Sequence, residues 1–264
     1  MSKALTMIIT LFLLAAVAQE TGQTETQETG DQGLERRVIT IEASGGTQSG
    51  NIRTGPLAYS HPDPEGVVAT VSTLTIYAQQ ATLSAPEGVL LSQARGEREA
   101  SFVNGVRVVR GRMSATGPEL VYSEVTGRGS LAGPTKIVLA PAAEDEDEVE
   151  ITADEADFDV DADTSTSRGG VTLISGRSSA EAEEIVFEEE RELARLQDEG
   201  GQVTIVRRDD ENGDLTITAD EIRVLTGSDR LLARGNVTLT SGNTVSTGET
   251  VYFDDESSQA EILG

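Results

Sequence analysis

Residues 151–264 hold one pattern twice. ITADEADFDV opens the first copy at Ile151 and ITADEIRVL the second at Ile217; at an ungapped offset of 66, Ala153 falls on Ala219, Val171 on Val237, Leu173 on Leu239, Gly176 on Gly242, Phe187 on Phe253 and Leu196 on Ile262. A looser third copy lies upstream at an offset of 65, where Gly105, Val106, Val108, Gly111, Ala115, Tyr122 and Leu131 match Gly170, Val171, Leu173, Gly176, Ala180, Phe187 and Leu196. Its opening, from Ile76, aligns only at an offset of 75, which places roughly ten extra residues near Pro86–Gly96. A repeat of this length signals stacked equivalent units, none of which buries its apolar face alone.

Within a unit the apolar residues alternate. Leu231, Ala233, Gly235, Val237 and Leu239 share one parity, the mark of a half-buried strand with Thr238 and Thr240 outward. The opening segments behave differently: Ile217 and Ala219 have one parity, Ile222 and Val224 the other, and the same slip recurs at Ala78, Gly117, Ala153, Ala182 and Gly248. A one-residue slip inside a strand is what a bulge or corner produces, and a small residue leaves room for the bend. The expected plan is corner strand, tight turn, straight return strand, with turn chemistry in Ser175-Gly176, Asn212-Gly213-Asp214 and Ser241-Gly242-Asn243. Two antiparallel sheets then face each other across one apolar interior. Some seven or eight strands per sheet at about 4.8 Å spacing predict a trough on the order of 35 Å long.

Residues 1–18 read as a secretory signal peptide: Lys3, an apolar run from Met7 to Ala16, then Ala16-Val17-Ala18. Residues 19–37 are polar and are expected to form a flexible leader, leaving 38–264 as the repeated β domain. The acidic run 141–150 is a candidate break between two fused units. The chain has no Cys, which excludes a lipid-anchored cysteine and any disulfide framework, so the expected location is the periplasm. Glu261, Ile262 and Leu263 fall in a last strand with nothing after it to cover its edge, a surface on which another strand can pair.

The formal charge of −26 argues against nucleic acid as a partner. It is uneven: residues 91–140 carry seven basic and four acidic groups, residues 141–264 nine and 33. Arg107, Arg110 and Arg112 form a local basic excess able to meet a phosphate or an acidic partner, or simply a solvated face. Asp157, Asp159, Asp161 and Asp163 alternate along a strand and raise the thought of calcium. As an EF-hand they fail, since Ala162 stands at the glycine position and Arg168 at that of the bidentate glutamate. Catalysis is poorly supplied: His61, the one histidine, sits in a proline-rich loop and no thiol exists. No catalytic residue, metal site or cofactor is expected.

The repeated inward positions are the functional candidates: Val106, Val108, Tyr122, Phe158, Val171, Leu173, Ile185, Phe187, Val237, Leu239 and Phe253. With five Phe, four Tyr and no Trp to fill so long an interior, a slot able to close on an acyl chain is expected. At about 0.8 kcal/mol per methylene, one long chain offers roughly 10 kcal/mol of gross burial. The alternative is a closed, fully packed scaffold protein of the envelope. The two are separated by whether these side chains face a cavity or one another.

The ordered repetition of Ala153-Asp154-Glu155, the run Gly170 to Gly176 (GVTLISG), Ala219-Asp220-Glu221 and the run Gly235 to Gly242 (GNVTLTSG), behind an export signal, resembles the OstA-like (LptA) family of periplasmic lipopolysaccharide-transport proteins. The family also takes in LptC and the LptD N-terminal domain, and the likeness extends over Val38–Gly264. It implies a V-shaped β jelly roll whose open interior holds acyl chains, joined end to end through terminal strands so that lipid slides toward the outer membrane. Lipopolysaccharide or a related acylated lipid, other Lpt-type proteins and further copies of this chain are the implied partners. In length and acidity the chain departs from the family pattern, as would a fused double-length bridge or a carrier of a different lipid.

Overall fold

The structure is a computed structural model that describes residues 35–144, 146–209, 213–226, 230–254, 257 and 259–263. The signal-peptide segment 1–18 and most of the leader therefore lie outside the described residues, as does Asn212 of one expected turn.

The chain is all-β and antiparallel, in one 19-stranded sheet. The first six strands are short: β1 (Thr40–Glu42), β2 (Thr47–Gly50), β3 (Leu57–Ser60), β4 (Val67–Val71), β5 (Leu74–Ala78) and β6 (Gln80–Ser84). Six long ones follow: β7 (Glu99–Arg110), β8 (Met113–Ser123), β9 (Arg128–Leu139), β10 (Val149–Asp159), β11 (Thr164–Ser175) and β12 (Ser178–Glu188). Next come β13 (Leu193–Gln197), β14 (Val203–Arg207), β15 (Leu215–Ala219), β16 (Glu221–Leu225), β17 (Arg230–Ser241), β18 (Thr244–Asp254) and β19 (Gln259–Leu263). The insertion expected near Pro86–Gly96 is the connection between β6 and β7.

Every long strand that pairs with another long strand breaks register in the middle. The shifts fall between Val103 and Val106 in β7, Thr116 and Leu120 in β8, Thr152 and Glu155 in β10, Arg168 and Val171 in β11, and Arg234 and Val237 in β17. Short strands make the same bend by interruption: β5 and β6 are separated by Gln79 and both pair with β7, while β15 and β16 are separated by Asp220 and both pair with β17. The meander is thereby folded along its length into two layers. One runs through β2, β3, β6, the halves of β7–β12 that include Phe102 and Phe187, then β13, β16 and the corresponding halves of β17 and β18, ending at β19. The other runs through β1, β4, β5, the halves that include Val108 and Ala180, then β14, β15 and the remaining halves of β17 and β18.

The return strands are not straight, which corrects the sequence expectation. They bend at Asn104-Gly105, at Gly169-Gly170 and at Gly235-Asn236, all with positive φ. Because these strands also cross the corner line, each contributes to both layers. About 13 strands stand in each layer rather than seven or eight, so the interior runs on the order of 60 Å.

Repeated motif residues make the corner. A Cβ on Gly169 would lie 2.7 Å from Asp154 Oδ2, and one on Gly235 2.3 Å from Asp220 Oδ2. Each aspartate of the Ala-Asp-Glu motif thus packs against the bent backbone of the following strand, and Asp220 also accepts a hydrogen bond from Asn236 Nδ2 at 2.9 Å. At both points the backbone is left-handed, which glycine adopts without a Cβ penalty. The candidate break at 141–150 lies in the connection between β9 and β10, which pair with each other from Val149–Leu139 to Asp159–Arg128.

One apolar core runs between the layers. In the N-terminal half it is packed shut: Val67, Ala69, Phe102, Val108, Ala115, Tyr122 and Leu131 have no exposed surface. In the C-terminal half Leu173, Ile205, Leu215, Val224, Leu239 and Phe253 are only partly buried. Among the described residues no helix is long and apolar enough to cross a membrane.

Candidate functional site

Five of these partly buried residues, Leu173, Ile205, Leu215, Val224 and Phe253, border a cavity of about 330 Å³ between the layers. One layer supplies Ala194, Leu196, Val224, Leu231 and Phe253; the other supplies Val149, Leu173, Ala180, Ile205, Leu215 and Ile217. Its mouth carries polar groups, among them Glu146, Asp147, Arg177 and Arg207. A second space of about 20 Å³ continues it toward the N-terminal half, sharing Val149, Leu173, Ala194 and Thr226 and ending against Met113, Ile137, Ile185 and Phe187.

Of the sequence candidates, Leu173 lines both spaces, Phe253 the larger, and Ile185 and Phe187 the smaller. Val106, Val108, Tyr122, Phe158, Val171 and Val237 are at most 1% exposed and line neither. Leu239 is partly buried against the core and also lines neither. Sequence reasoning did not single out Ala194, Leu196, Ile205, Leu215, Ile217 or Leu231. The signal was present for Ile217 and Leu231, which share the inward parity of the repeat, and for Leu196, which the repeat aligns with Leu131 and Ile262, whereas β14 carries no repeat motif to mark Ile205.

Where the cavity stops, two of the arginines noted in the sequence, Arg110 and Arg112, link the rims of the two layers. Buried Arg110, beyond the turn of one layer, donates from Nη2 to Asp159 O of the other at 3.2 Å, with Nε 4.0 Å from Glu189 Oε2. Burial lowers its pKa and raises that of Glu189. Arg112 pairs with Glu192 and donates to Ala140 O at 2.7 Å. Arg107 takes Glu65 at 2.7 Å and lies 4.3 Å from the centre of the Tyr77 ring. Thr73 Oγ1 reaches Asp163 Oδ1 at 3.3 Å, a further contact from rim to rim.

The N-terminal segment adds a strap. Arg36 donates to Val160 O at 2.8 Å and pairs with Asp163 at 2.7 Å; Arg37 pairs with Asp161, and Arg37 O accepts a 2.7 Å hydrogen bond from the Tyr122 hydroxyl. Ile39 N–H donates to the fully buried Glu124 carboxylate at 2.9 Å, which also takes Gly96 N–H at 2.8 Å and the Arg98 guanidinium at 2.6 Å. The alternating aspartates are likewise occupied within the chain: Asp157 by Arg168, Asp159 by Arg128, Asp161 by Arg37 and Asp163 by Arg36. The described residues contain no group of three or more His, Cys, Asp or Glu arranged to hold a metal.

At the far end β19 pairs with β18 from Gln259–Asp254 to Leu263–Thr250, and among the described residues it has no neighbour on its other edge. Glu261, Ile262 and Leu263 are exposed, Leu263 by 57%.

Residues 150–259 match the family model described as LptA/(LptD N-terminal domain) LPS transport protein. No curated protein matches the chain. Among solved structures, the crystal structure of LptH, the LptA homologous periplasmic component of the conserved lipopolysaccharide transport device from Pseudomonas aeruginosa, is similar at 12% identity with a TM-score of 0.40, covering 43% of this chain and 80% of that one. The matched segment contains most of the cavity lining. Residues 150–259, which hold the clearest copies of the repeat, are thus similar to the LptA and LptD N-terminal family.

Proposed function

We propose that this chain is a non-catalytic periplasmic protein that holds an acyl chain of lipopolysaccharide, or of a related envelope lipid, between its two layers on the way to the outer membrane. The observation that carries this reading is the cavity itself, which lies within the family-matched repeats and is lined by apolar side chains from both layers. At about 330 Å³ it stands at the lower end of the range for ligand pockets. Leu173 and Phe253 are its best-placed candidate contacts, with Ile185 and Phe187 below. The exposed edge of β19, at Glu261, Ile262 and Leu263, is the joint at which another Lpt-type protein or a further copy of this chain adds a strand.

A carboxylate placed among the lining residues removes the apolar surface and must stay hydrated. Leu173→Asp and Phe187→Asp are expected to lose the co-purifying lipid while keeping a β-sheet circular dichroism spectrum. A folded variant that retains lipid would defeat the groove assignment. A specific observation also favours the closed-scaffold reading for part of the chain: Val106, Val108, Tyr122 and Phe158 are at most 1% exposed within one core and line neither of the two spaces. In the proposed account the N-terminal half is scaffold and the C-terminal half is carrier.

A further inference from the structure

Resting on that carrier reading, we propose that the cavity is one-ended and that Ser165, Phe187 and Met113 form a stop that fixes how long an aliphatic chain it accepts. Three observations meet at this point. The smaller space, about 20 Å³, is room for a single water-sized group or a terminal methyl, and it adjoins the larger cavity, with Leu173 and Ala194 lining both. Behind it Phe158 and Val160 are entirely buried in the core and line neither space. Over it the rims are clasped by Arg112 on Glu192 and by Arg110 on Asp159 O, so a tail cannot leave sideways.

The repeat shows why the space exists. Ser165 is the equivalent of Leu231 at the 66-residue offset, and Ser167 that of Ala233. Ser165 stands opposite Phe187 and Phe158 in the sheet, as Leu231 stands opposite Phe253. Both serines are buried and both line the smaller space. A small hydroxyl side chain therefore takes the place of a leucine where the cavity ends. The space left is the volume that the next unit fills.

The test is affinity against chain length for the full mature protein, with the homologous saturated fatty acids from decanoate to stearate displacing a fluorescent apolar probe. Each methylene buried tightens binding about fourfold. The expected curve for the native chain climbs at that slope and then breaks to a plateau or a fall at one length. Ser165→Leu, which restores the residue of the neighbouring unit and so has a precedent in this fold, moves the break to shorter chains. Phe187→Leu, or Met113→Ala if that variant does not fold, moves it to longer ones.

A rise with no break through stearate, or a break at the same length in folded variants of both kinds, overturns the stop while leaving the carrier reading in place. No displacement by any chain in the native protein removes the carrier reading and the stop together.

Discussion

Glu124→Ala is expected to lower the stability of the chain by about 3–5 kcal/mol, the range found when one partner of a buried ion pair is removed. Arg98 would keep its charge at a side-chain exposure of 15% with no carboxylate to meet it, and the amides of Ile39 and Gly96 would lose their acceptor. For a domain of this size that corresponds to a fall in Tm of roughly 10 °C or more, read by thermal denaturation followed by circular dichroism. The same carboxylate gives a pH signature. Burial alone would raise its pKa, but the Arg98 guanidinium and the two amides outweigh burial and hold it below the ordinary glutamate value of 4.5. A depressed folded-state value means that the contribution is complete above about pH 4.5 and is lost as the pH falls toward the folded-state value. Native protein should lose Tm on that acid limb, and the Glu124→Ala curve should be flatter there. Equal slopes in the two proteins would show that Glu124 is not what ties Ile39 and the strap to the sheet.

Gly133→Ala is the second large effect. A Cβ at this position would stand 1.7 Å from Asp154 O and 2.4 Å from its carbonyl carbon, atoms of the neighbouring strand's backbone that no rotamer change can move. The two strands must separate at the corner, and a loss of about 3 kcal/mol or more is expected. At Gly170, by contrast, a Cβ meets nothing within 4 Å, so Gly170→Ala reports only the strain of its left-handed backbone and should lose about 1–2 kcal/mol. Urea titration of the two variants checks the ranking. An equal loss at both would remove close strand approach as the reason for glycine at the bend of β9.

The corners of half the strands were legible in the sequence, and the reason the others were not is arithmetical. Between Ala153 and Ala156, or Ala182 and Ile185, an odd spacing reverses parity, so the bend is written in the hydrophobic pattern. Between Phe102 and Val106, or Ala233 and Val237, an even spacing keeps the inward parity, and a bent strand reads as straight. The only trace is a glycine beside a second residue that tolerates positive φ: Asn104-Gly105, Gly169-Gly170, Gly235-Asn236.

For the candidate site, the sequence pattern marks inward apolar positions but not which of them border open space. Val106-Arg107-Val108, Val171-Thr172-Leu173 and Val237-Thr238-Leu239 have the same pattern, yet Val108 is sealed in the core while Leu173 borders a cavity. Which one faces space depends on what stands across the interior and over the mouth. Those are long-range facts, carried by Arg110 reaching Asp159 O and by residues 36–39 crossing to contacts near 124 and 160. The strand pattern shows which side chains point inward, whereas the residues that border open space are set by segments far apart in the chain.

The acidity also acquires a structural reading. Carboxylates of Asp157, Asp159, Asp161 and Asp163 each meet an arginine, and these pairs are mostly at the surface, where each contributes little to stability. Their effect is one of placement: they line the rims with fixed partners and leave the apolar lining of the cavity as the distinctive surface of the C-terminal half.

Native mass spectrometry of the mature protein taken from its own envelope, followed by lipid extraction of the same sample, tests the carrier reading most directly. The account predicts a bound species that is acylated and is lost in Leu173→Asp. A bare protein mass that persists after incubation with envelope lipids would contradict it and leave the chain a closed structural element.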